Sequence, residues 1–220
     1  MFAIELISDI IPPLKTSDTA QKALERMSEF KIFHLPIVNE AQFLGLVSEE
    51  ELIEVRDPQT PIGALSLSLI NPFVFDNSHI YDVIKLFHQL QLSIMPVLNQ
   101  KNNYLGLISI NNLINYTASI FSVNEPGGII ALSISNRNNS LAHMAQIVES
   151  DNAQILSSYI RSFPDSTRLE VTLKINKTDL SAIIASFERY DYEIRAVFNN
   201  TAYDDGSWDR YQSFMNYLNV

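Results

Sequence analysis

Cysteine is missing from all 220 residues of this chain, and that absence excludes disulfides, thiolate metal sites and thiol catalysis together. Long hydrophobic runs are missing too, because no apolar stretch approaches the ~20 residues that a membrane-spanning helix needs. The first eleven residues carry Glu5 and Asp9 and lack the basic start and small-residue cleavage site of a signal peptide. We therefore expect a bacterial-type cytoplasmic protein that has no membrane partner.

Basic side chains are also scarce. The chain has 15 lysines and arginines against 25 aspartates and glutamates, which gives a formal net charge of −10. Without a basic stripe it is a poor candidate for binding nucleic acid, where phosphate neutralisation supplies most of the affinity. The charge is uneven along the chain, since residues 1–60 have a net charge of −6 and residues 61–122 have a net charge of zero.

An internal repeat becomes visible when the sequence is shifted along itself. One offset places His34–Asn39 on Ile94–Asn99, and the same offset with one inserted residue places Phe43–Ser48 on Tyr104–Ser109. Each copy predicts a helix, an apolar strand containing proline, a polar turn, a strand containing glycine and a short second helix. Two strands and two helices do not easily close a core alone, so we expect the copies to pack face to face.

The helix that opens each repeat needs a residue that caps its first turn. Asp18 and Ser78 stand just before the two amphipathic stretches and are predicted to be these caps.

The ends of the two copies read Gly45-Leu-Val-Ser-Glu-Glu-Glu-Leu52 and Gly106-Leu-Ile-Ser-Ile-Asn-Asn-Leu113. Together with the proline-containing strands, these motifs resemble the CBS domain, whose pairs form the Bateman module. The resemblance implies an α+β fold with one CBS repeat at residues 1–60 and a second at residues 61–122. It also implies regulation by an adenine nucleotide bound in a cleft between the repeats.

The resemblance assigns roles to eight residues. In the family a Ser/Thr and an Asp of the closing motif hold the ribose hydroxyls, and the proline-containing strand holds the adenine. The matching adenosyl-cleft candidates here are Pro36, Ile37, Ser48, Glu51, Pro96, Val97, Ser109 and Asn112. AMP, ADP, ATP or another adenosyl compound is then the expected regulatory ligand, and no cofactor is required.

Both closing motifs depart from the family pattern. Glu51 keeps the charge of aspartate but is one methylene longer, and Asn112 keeps the size but loses the charge. Ser48-x-x-Glu51 before a helix is also the pattern of a capping box, which needs no ligand. For the first cleft we favour this capping role, and for the second, at Ser109 and Asn112, ligand binding and an empty cleft remain equal alternatives.

The rest of the chain predicts a second domain. Residues 123–128 form a linker, and alternating and helical patterns then give βαββαβ over residues 129–199, the ferredoxin-like order. After a CBS pair, this segment resembles an ACT domain, a regulatory fold that often pairs sheets between chains and binds amino acids. The family's binding turn matches Asn136, Asn138 and Asn139. We favour dimerisation, as a homodimer, or binding of a protein partner over amino-acid sensing.

Residues 200–220 predict a C-terminal amphipathic helix. Its apolar stripe consists of Trp208, Tyr211, Phe214 or Met215, and Leu218. We expect this helix to dock onto the ACT-like domain or onto a second chain.

The sequence offers no catalytic or metal site. His34, His79, His88 and His143 are the four histidines, and none of them form the i, i+4 pair of a zinc helix. Phosphate loops, dinucleotide fingerprints and nucleophile elbows are missing from the sequence. The protein is therefore predicted to be a regulatory module and not an enzyme. The alternative is a structural interaction module with empty clefts.

Overall fold

A computed structural model describes residues 2–8, 10–135, 140–164 and 167–198. The chain divides into two compact units, Met1–Tyr116 and Thr117–Val220. Among the residues that the structure describes, no helix combines the length and the hydropathy of a membrane span.

The first unit contains the two repeats. Its helices are α1 (Ala20–Phe30), α2 (Glu49–Ile53), α3 (Ile80–Leu90) and α4 (Ile110–Ile120), the last of which continues past the unit boundary. Its strands are β1 (His34–Asn39), β2 (Gln42–Ser48), β3 (Val74–Phe75), β4 (Ile94–Leu98) and β5 (Tyr104–Ser109). The helix, strand, strand, helix order therefore occurs twice.

The helices α1 and α3 begin one residue later than the sequence predicts. Thr19 and His79 are the N-caps, and each accepts a backbone N–H of the first turn. Asp18 accepts the N–H of Lys15 instead, at 2.9 Å, and Ser78 accepts an N–H from the preceding strand. The predicted caps at Asp18 and Ser78 are wrong because both side chains close the turn before the helix.

Strand pairing repeats at the same interval as the sequence. In each copy the proline-containing strand pairs antiparallel with the glycine-containing strand, as β1 with β2 and as β4 with β5. On its other side an extended segment runs parallel to it, with Leu14 beside Ile37 and Val74 beside Val97. The offset that relates these two parallel pairs is the one that relates His34 to Ile94, so the sequence repeat is also a repeat of backbone geometry.

Each repeat is completed by a segment near the start of the other repeat. The backbone N–H of Leu46 in β2 donates to Ile70, at 2.8 Å, and the N–H of Ser8 donates to Leu107 in β5, at 2.9 Å. We call residues 6–8 and 68–70 the two crossing segments. Because of this exchange, neither repeat is closed by its own residues alone.

One hydrophobic core contains residues from both repeats. Its largest fully buried side chains are Leu14, Met27, Leu35, Ile37, Leu46, Leu52, Ile80, Ile94, Met95, Leu107 and Ile108. The two repeats therefore pack against each other, as a repeat too small to bury its own apolar face requires.

The second unit has the element order βαββαβ. Its elements are β6 (Gly128–Ser135), α5 (Leu141–Ser150), β7 (Ile155–Ser162), β8 (Arg168–Ile175), α6 (Ser181–Arg189) and β9 (Glu193–Phe198). The four strands form one antiparallel sheet in the order β7-β8-β6-β9. Alternate residues of the central strands, such as Ile130, Leu132, Val171 and Leu173, are buried in the core with Phe187 of α6.

Candidate functional site

The two closing motifs occupy the same place in the two repeats. Ser48 is the last residue of β2 and the N-cap of α2, and Ser109 is the last residue of β5, directly before α4. A serine at such a strand-to-helix junction can satisfy one of the unpaired N–H groups of the first helical turn. Each serine meets the residue three positions later, which is Glu51 in the first repeat and Asn112 in the second.

In the first repeat the Glu51 carboxylate is held by donors from the chain itself. Oε2 accepts the backbone N–H of Ser48, at 3.1 Å, and its hydroxyl, at 3.0 Å. Oε1 accepts the N–H of Ser68, at 2.9 Å, and the Ser48 hydroxyl in turn accepts the N–H of Glu51, at 3.3 Å. A carboxylate offers about four acceptor positions, so little capacity is left for two ribose hydroxyls. The structure therefore contains the capping box that the sequence predicts.

In the second repeat the contacts are fewer. The Ser109 hydroxyl accepts the N–H of Asn112, at 3.1 Å, and donates to Asn112 Oδ1, at 2.9 Å. Asn112 Nδ2 donates to the carbonyl of Leu6, at 3.4 Å. An amide has two donor hydrogens and an oxygen with two lone pairs, so these contacts leave both donor and acceptor capacity at Asn112. Ser109 is 4% exposed, and Asn112 is half-buried.

Glu51 and Asn112 each form a hydrogen bond with a crossing segment, and the two segments offer different backbone groups. The segment before Ile70 presents the N–H of Ser68, which requires an acceptor, and Glu51 supplies one. The N-terminal segment presents the carbonyl of Leu6, which requires a donor, and the amide of Asn112 supplies one. The amide at Asn112 thus has a structural reason, because a carboxylate there could not donate to Leu6.

The four strand candidates are inside the protein. Pro36 and Pro96 are buried, and Ile37 and Val97 are 2% and 0% exposed. The side chains of Ile37 and Val97 belong to the hydrophobic core, so a base in either cleft would meet mainly backbone at these positions. Their role in holding adenine stays a prediction.

A polar contact between the repeats was not predicted from the sequence. The buried Ser93 hydroxyl accepts the N–H of Phe33, at 2.9 Å, and lies 3.1 Å from His34 Nδ1. Burial lowers the pKa of His34 from its usual 6.5, against the opposing effect of Glu50 and Glu51. The sequence offers one signal for this contact, a serine directly before the apolar strand β4. This serine belongs to no motif, so the contact was missed.

Other predicted residues lie outside the described ranges. They are Asn136, Asn138 and Asn139 of the ACT-like turn, and all of the apolar stripe in residues 200–220. Within the described ranges, no group of three or more histidine, aspartate or glutamate side chains is placed to hold a metal ion.

Comparison with known proteins identifies the first unit. The CBS domain model matches residues 4–57 and 69–119. Among solved structures, a CBS domain pair/ACT domain protein from Thermotoga maritima has 21% identity and a TM-score of 0.48, over 53% of this chain and 96% of that chain. The CBS domains of a transcriptional regulator from Streptococcus pneumoniae have 17% identity and a TM-score of 0.47, over 52% and 98%.

A third solved structure is CBSX2 in complex with AMP, with 18% identity and a TM-score of 0.47, over 54% of this chain and 97% of that chain. The two matches to the family model coincide with the two repeats found in the sequence, and the structure gives both repeats the same elements in the same order. The chain therefore contains two CBS domains in tandem.

Proposed function

We propose that this protein is a non-catalytic regulatory module that binds an adenosyl ligand, such as AMP, ADP or ATP, in the cleft of its second CBS repeat. The ribose is held by Ser109 and Asn112. The first cleft is structural, and its Ser48 and Glu51 fix the start of α2.

The observation that carries this proposal is that the side chain of Glu51 makes more hydrogen bonds within the chain than that of Asn112 does. Both oxygens of Glu51 are engaged by chain donors at 2.9–3.1 Å. The amide of Asn112 makes one shorter contact to Ser109 and one longer contact, of 3.4 Å, to Leu6. A ribose hydroxyl can therefore compete for Asn112 at a lower cost than for Glu51, because fewer internal hydrogen bonds are exchanged.

Charge supports the same choice. The second repeat, residues 61–122, is neutral, whereas the first has a net charge of −6 and places Glu49, Glu50 and Glu51 together at the start of α2. A nucleotide phosphate is repelled by such an acidic cluster. The neutral repeat lacks that penalty.

The second unit is proposed to be an ACT-like domain that mediates association, as a homodimer or with a protein partner. The support for this proposal is its βαββαβ order and its antiparallel strand order β7-β8-β6-β9, which correspond to the split βαβ arrangement. A ligand that binds one arrangement of the associated chains better than another shifts the population between them.

A structural interaction module with empty clefts is the second candidate. It is favoured by the observation that Glu51 and Asn112 both already bind the crossing segments, through Ser68 and Leu6. An amino-acid ligand at Asn136, Asn138 and Asn139 is a further alternative for the ACT-like domain.

Thermal unfolding against a panel of ligands separates these functions. The panel contains AMP, ADP, ATP, S-adenosylmethionine, NAD and a set of amino acids. A ligand at 100 times its dissociation constant stabilises the native state by about 2.7 kcal/mol, so we expect an adenosyl compound to raise the unfolding midpoint. The double variant Ser109→Ala/Asn112→Ala is expected to abolish that rise, while the matched variant Ser48→Ala/Glu51→Gln is expected to keep it.

Each other result has a definite meaning. A rise that disappears only in the Ser48→Ala/Glu51→Gln variant would move the site to the first cleft. A rise with an amino acid alone would move the site to the ACT-like domain. No rise with any compound would favour the interaction module.

A further inference from the structure

The sheet of the second unit has an apolar groove on the face opposite its core. Alternate residues of β6 point to the two faces, so Ile130 and Leu132 are in the core while Ile129 and Ala131 line the groove. The groove has a volume of about 590 Å³, and its floor consists of Ile129, Ala131, Tyr159, Thr172, Ala196 and Phe198. Tyr159 and Phe198 are 48% and 61% exposed, and a contiguous exposed apolar surface of this kind is typical of an interaction site.

One wall of the groove is formed by the residues that enter the second unit. Phe121 packs its ring edge-on against Tyr159, with 5.6 Å between centroids, and its carbonyl accepts the hydroxyl of Ser157, at 3.0 Å. Val123 also lines the groove and is 61% exposed. The groove is thus apolar, and one of its walls is fixed to the sheet by contacts of Phe121 with Tyr159 and Ser157.

We propose that residues 207–220 of the same chain form an amphipathic helix that lies in this groove. The stripe of Trp208, Tyr211, Met215 and Leu218 has the spacing i, i+3, i+7, i+10, which places all four on one side of a helix. A helix of this length is ~21 Å long, and strands of six to eight residues are ~20–26 Å long. The helix is therefore about as long as the strands that form the floor of the groove, and its stripe is apolar as the floor is.

The chain leaves the sheet at the groove itself. Phe198, the last described residue, is at the end of the edge strand β9, and its side chain lines the groove. Residues 199–206 can span at most ~26–29 Å, whereas the four strands are ~14 Å across. The connection is long enough to place the helix anywhere along the groove without leaving the unit.

Charge also favours this occupant. Among the residues that the structure describes, the strands carry four basic and two acidic side chains on this face, which are Arg161, Arg168, Lys174, Arg195, Glu170 and Glu193. The tail carries three acidic residues and one basic residue, which are Asp204, Asp205, Asp209 and Arg210. The face has a net charge of +2 and the tail a net charge of −2, so their charges are complementary.

The single tryptophan of the chain, Trp208, reports on this docking directly. In the full chain we expect emission at short wavelength and weak quenching by acrylamide. Thr172→Asp places a charge in the floor of the groove, and should shift the emission to longer wavelength and increase quenching several-fold. The matched variant Thr172→Val keeps the shape of the side chain without a charge and should retain the wild-type emission.

A variant of the tail tests the contact from its other side. Met215→Asp leaves the sheet unchanged and should expose Trp208 as Thr172→Asp does, with an unchanged circular dichroism spectrum. The proposal is overturned if Trp208 is solvent-exposed in the wild type, or if it stays buried in both aspartate variants. It is also overturned if its burial is lost on dilution together with a dimer in sedimentation, because the tail then covers a second copy.

Discussion

The two CBS repeats have matching backbones and different polar chemistry. The offset of the sequence repeat relates Leu14 beside Ile37 to Val74 beside Val97, yet it is Glu51 that binds one crossing segment and Asn112 that binds the other. The backbone repeat follows from the apolar pattern, which both copies share. The closing residues follow from the hydrogen-bonding group that the local segment offers, so a fold repeat does not imply a repeated binding site.

The polar contact between the two repeats is also asymmetric. Ser93 in the second repeat contacts both Phe33 and His34 in the first. In the alignment of the two copies, Ser93 matches Phe33 and Ile94 matches His34, so the reciprocal contact has no polar side chains to form it. The first repeat therefore carries the titratable partner and the second repeat carries the hydroxyl.

The largest expected effect is a loss of stability when the two glycines next to the crossing segments are replaced. Both glycines have positive φ, and a Cβ at Gly45 would lie 2.8 Å from Leu69 Cβ, while a Cβ at Gly106 would lie 2.5 Å from Ile7 Cγ2. Strain and overpacking together predict that Gly45→Ala and Gly106→Ala each lower the free energy of unfolding by about 2–5 kcal/mol. Urea denaturation measures the loss.

The two repeats should differ in this experiment. The added methyl at Gly45 also meets the backbone carbonyl of Ile70, at 3.2 Å, whereas at Gly106 it meets a side chain that can change rotamer. Gly45→Ala is therefore expected to cost more than Gly106→Ala. A larger loss at Gly106 would contradict the inference that the crossing segment around Ile70 leaves less room for an added methyl than the one around Ser8.

A smaller loss is expected when the closing residues are removed. Glu51→Ala deletes the capping-box partner of Ser48 and the acceptor for Ser68, and should lower the free energy of unfolding by about 1–2 kcal/mol. Asn112→Ala deletes the acceptor of the Ser109 hydroxyl and the longer contact to Leu6, which is one contact fewer than at Glu51, and should cost less, about 0.5–1 kcal/mol. Urea denaturation of both variants tests the order, and an equal or larger loss for Asn112→Ala would show that the two motifs are equally engaged.

Tyr104 and Phe43 provide a third comparison. The two rings occupy matching positions and stack with 6.5 Å between centroids, and within the described ranges the Tyr104 hydroxyl is buried without a hydrogen-bond partner. Burial also raises the pKa of this phenol. Tyr104→Phe should therefore leave stability unchanged or raise it by about 1 kcal/mol, as measured by thermal unfolding. The control is Tyr81→Phe at an exposed site, and a clear loss in Tyr104→Phe alone would indicate a bound partner for the hydroxyl.

The smallest effect is a pH dependence that belongs to the first repeat. Because burial lowers the pKa of His34 below 6.5, the unfolded chain binds a proton more readily than the folded protein does. The contribution of His34 to stability is therefore complete above pH 6.5 and is lost as the pH falls below that value. His34→Gln should reduce this acid-side slope in urea denaturation, while His88→Gln, at an exposed position, should retain it. An unchanged slope in His34→Gln would exclude His34 as its source.

Much of the fold could be predicted from periodicity. The internal repeat, the two β-hairpins around Pro36 and Pro96 and the βαββαβ order are all encoded in apolar spacing that a single sequence displays. The crossing segments at Ser8 and Ile70 could not be predicted in this way, since each makes only an isolated bridge and has no period of its own.

The candidate site was only partly predictable. Spacing brought Ser48 to Glu51 and Ser109 to Asn112, because residues three apart meet at a helix start. The contacts of Glu51 to Ser68 and of Asn112 to Leu6 depend on segments 17 and 106 positions away. Local patterns do not report such distant partners, and these partners are what distinguish the two clefts.

Isothermal titration of the full chain with AMP tests the central claim that only the second cleft binds an adenosyl ligand. The account predicts one site per chain, lost in Ser109→Ala/Asn112→Ala and kept in Ser48→Ala/Glu51→Gln. Two equivalent sites per chain, or one site that is lost only in Ser48→Ala/Glu51→Gln, would contradict it.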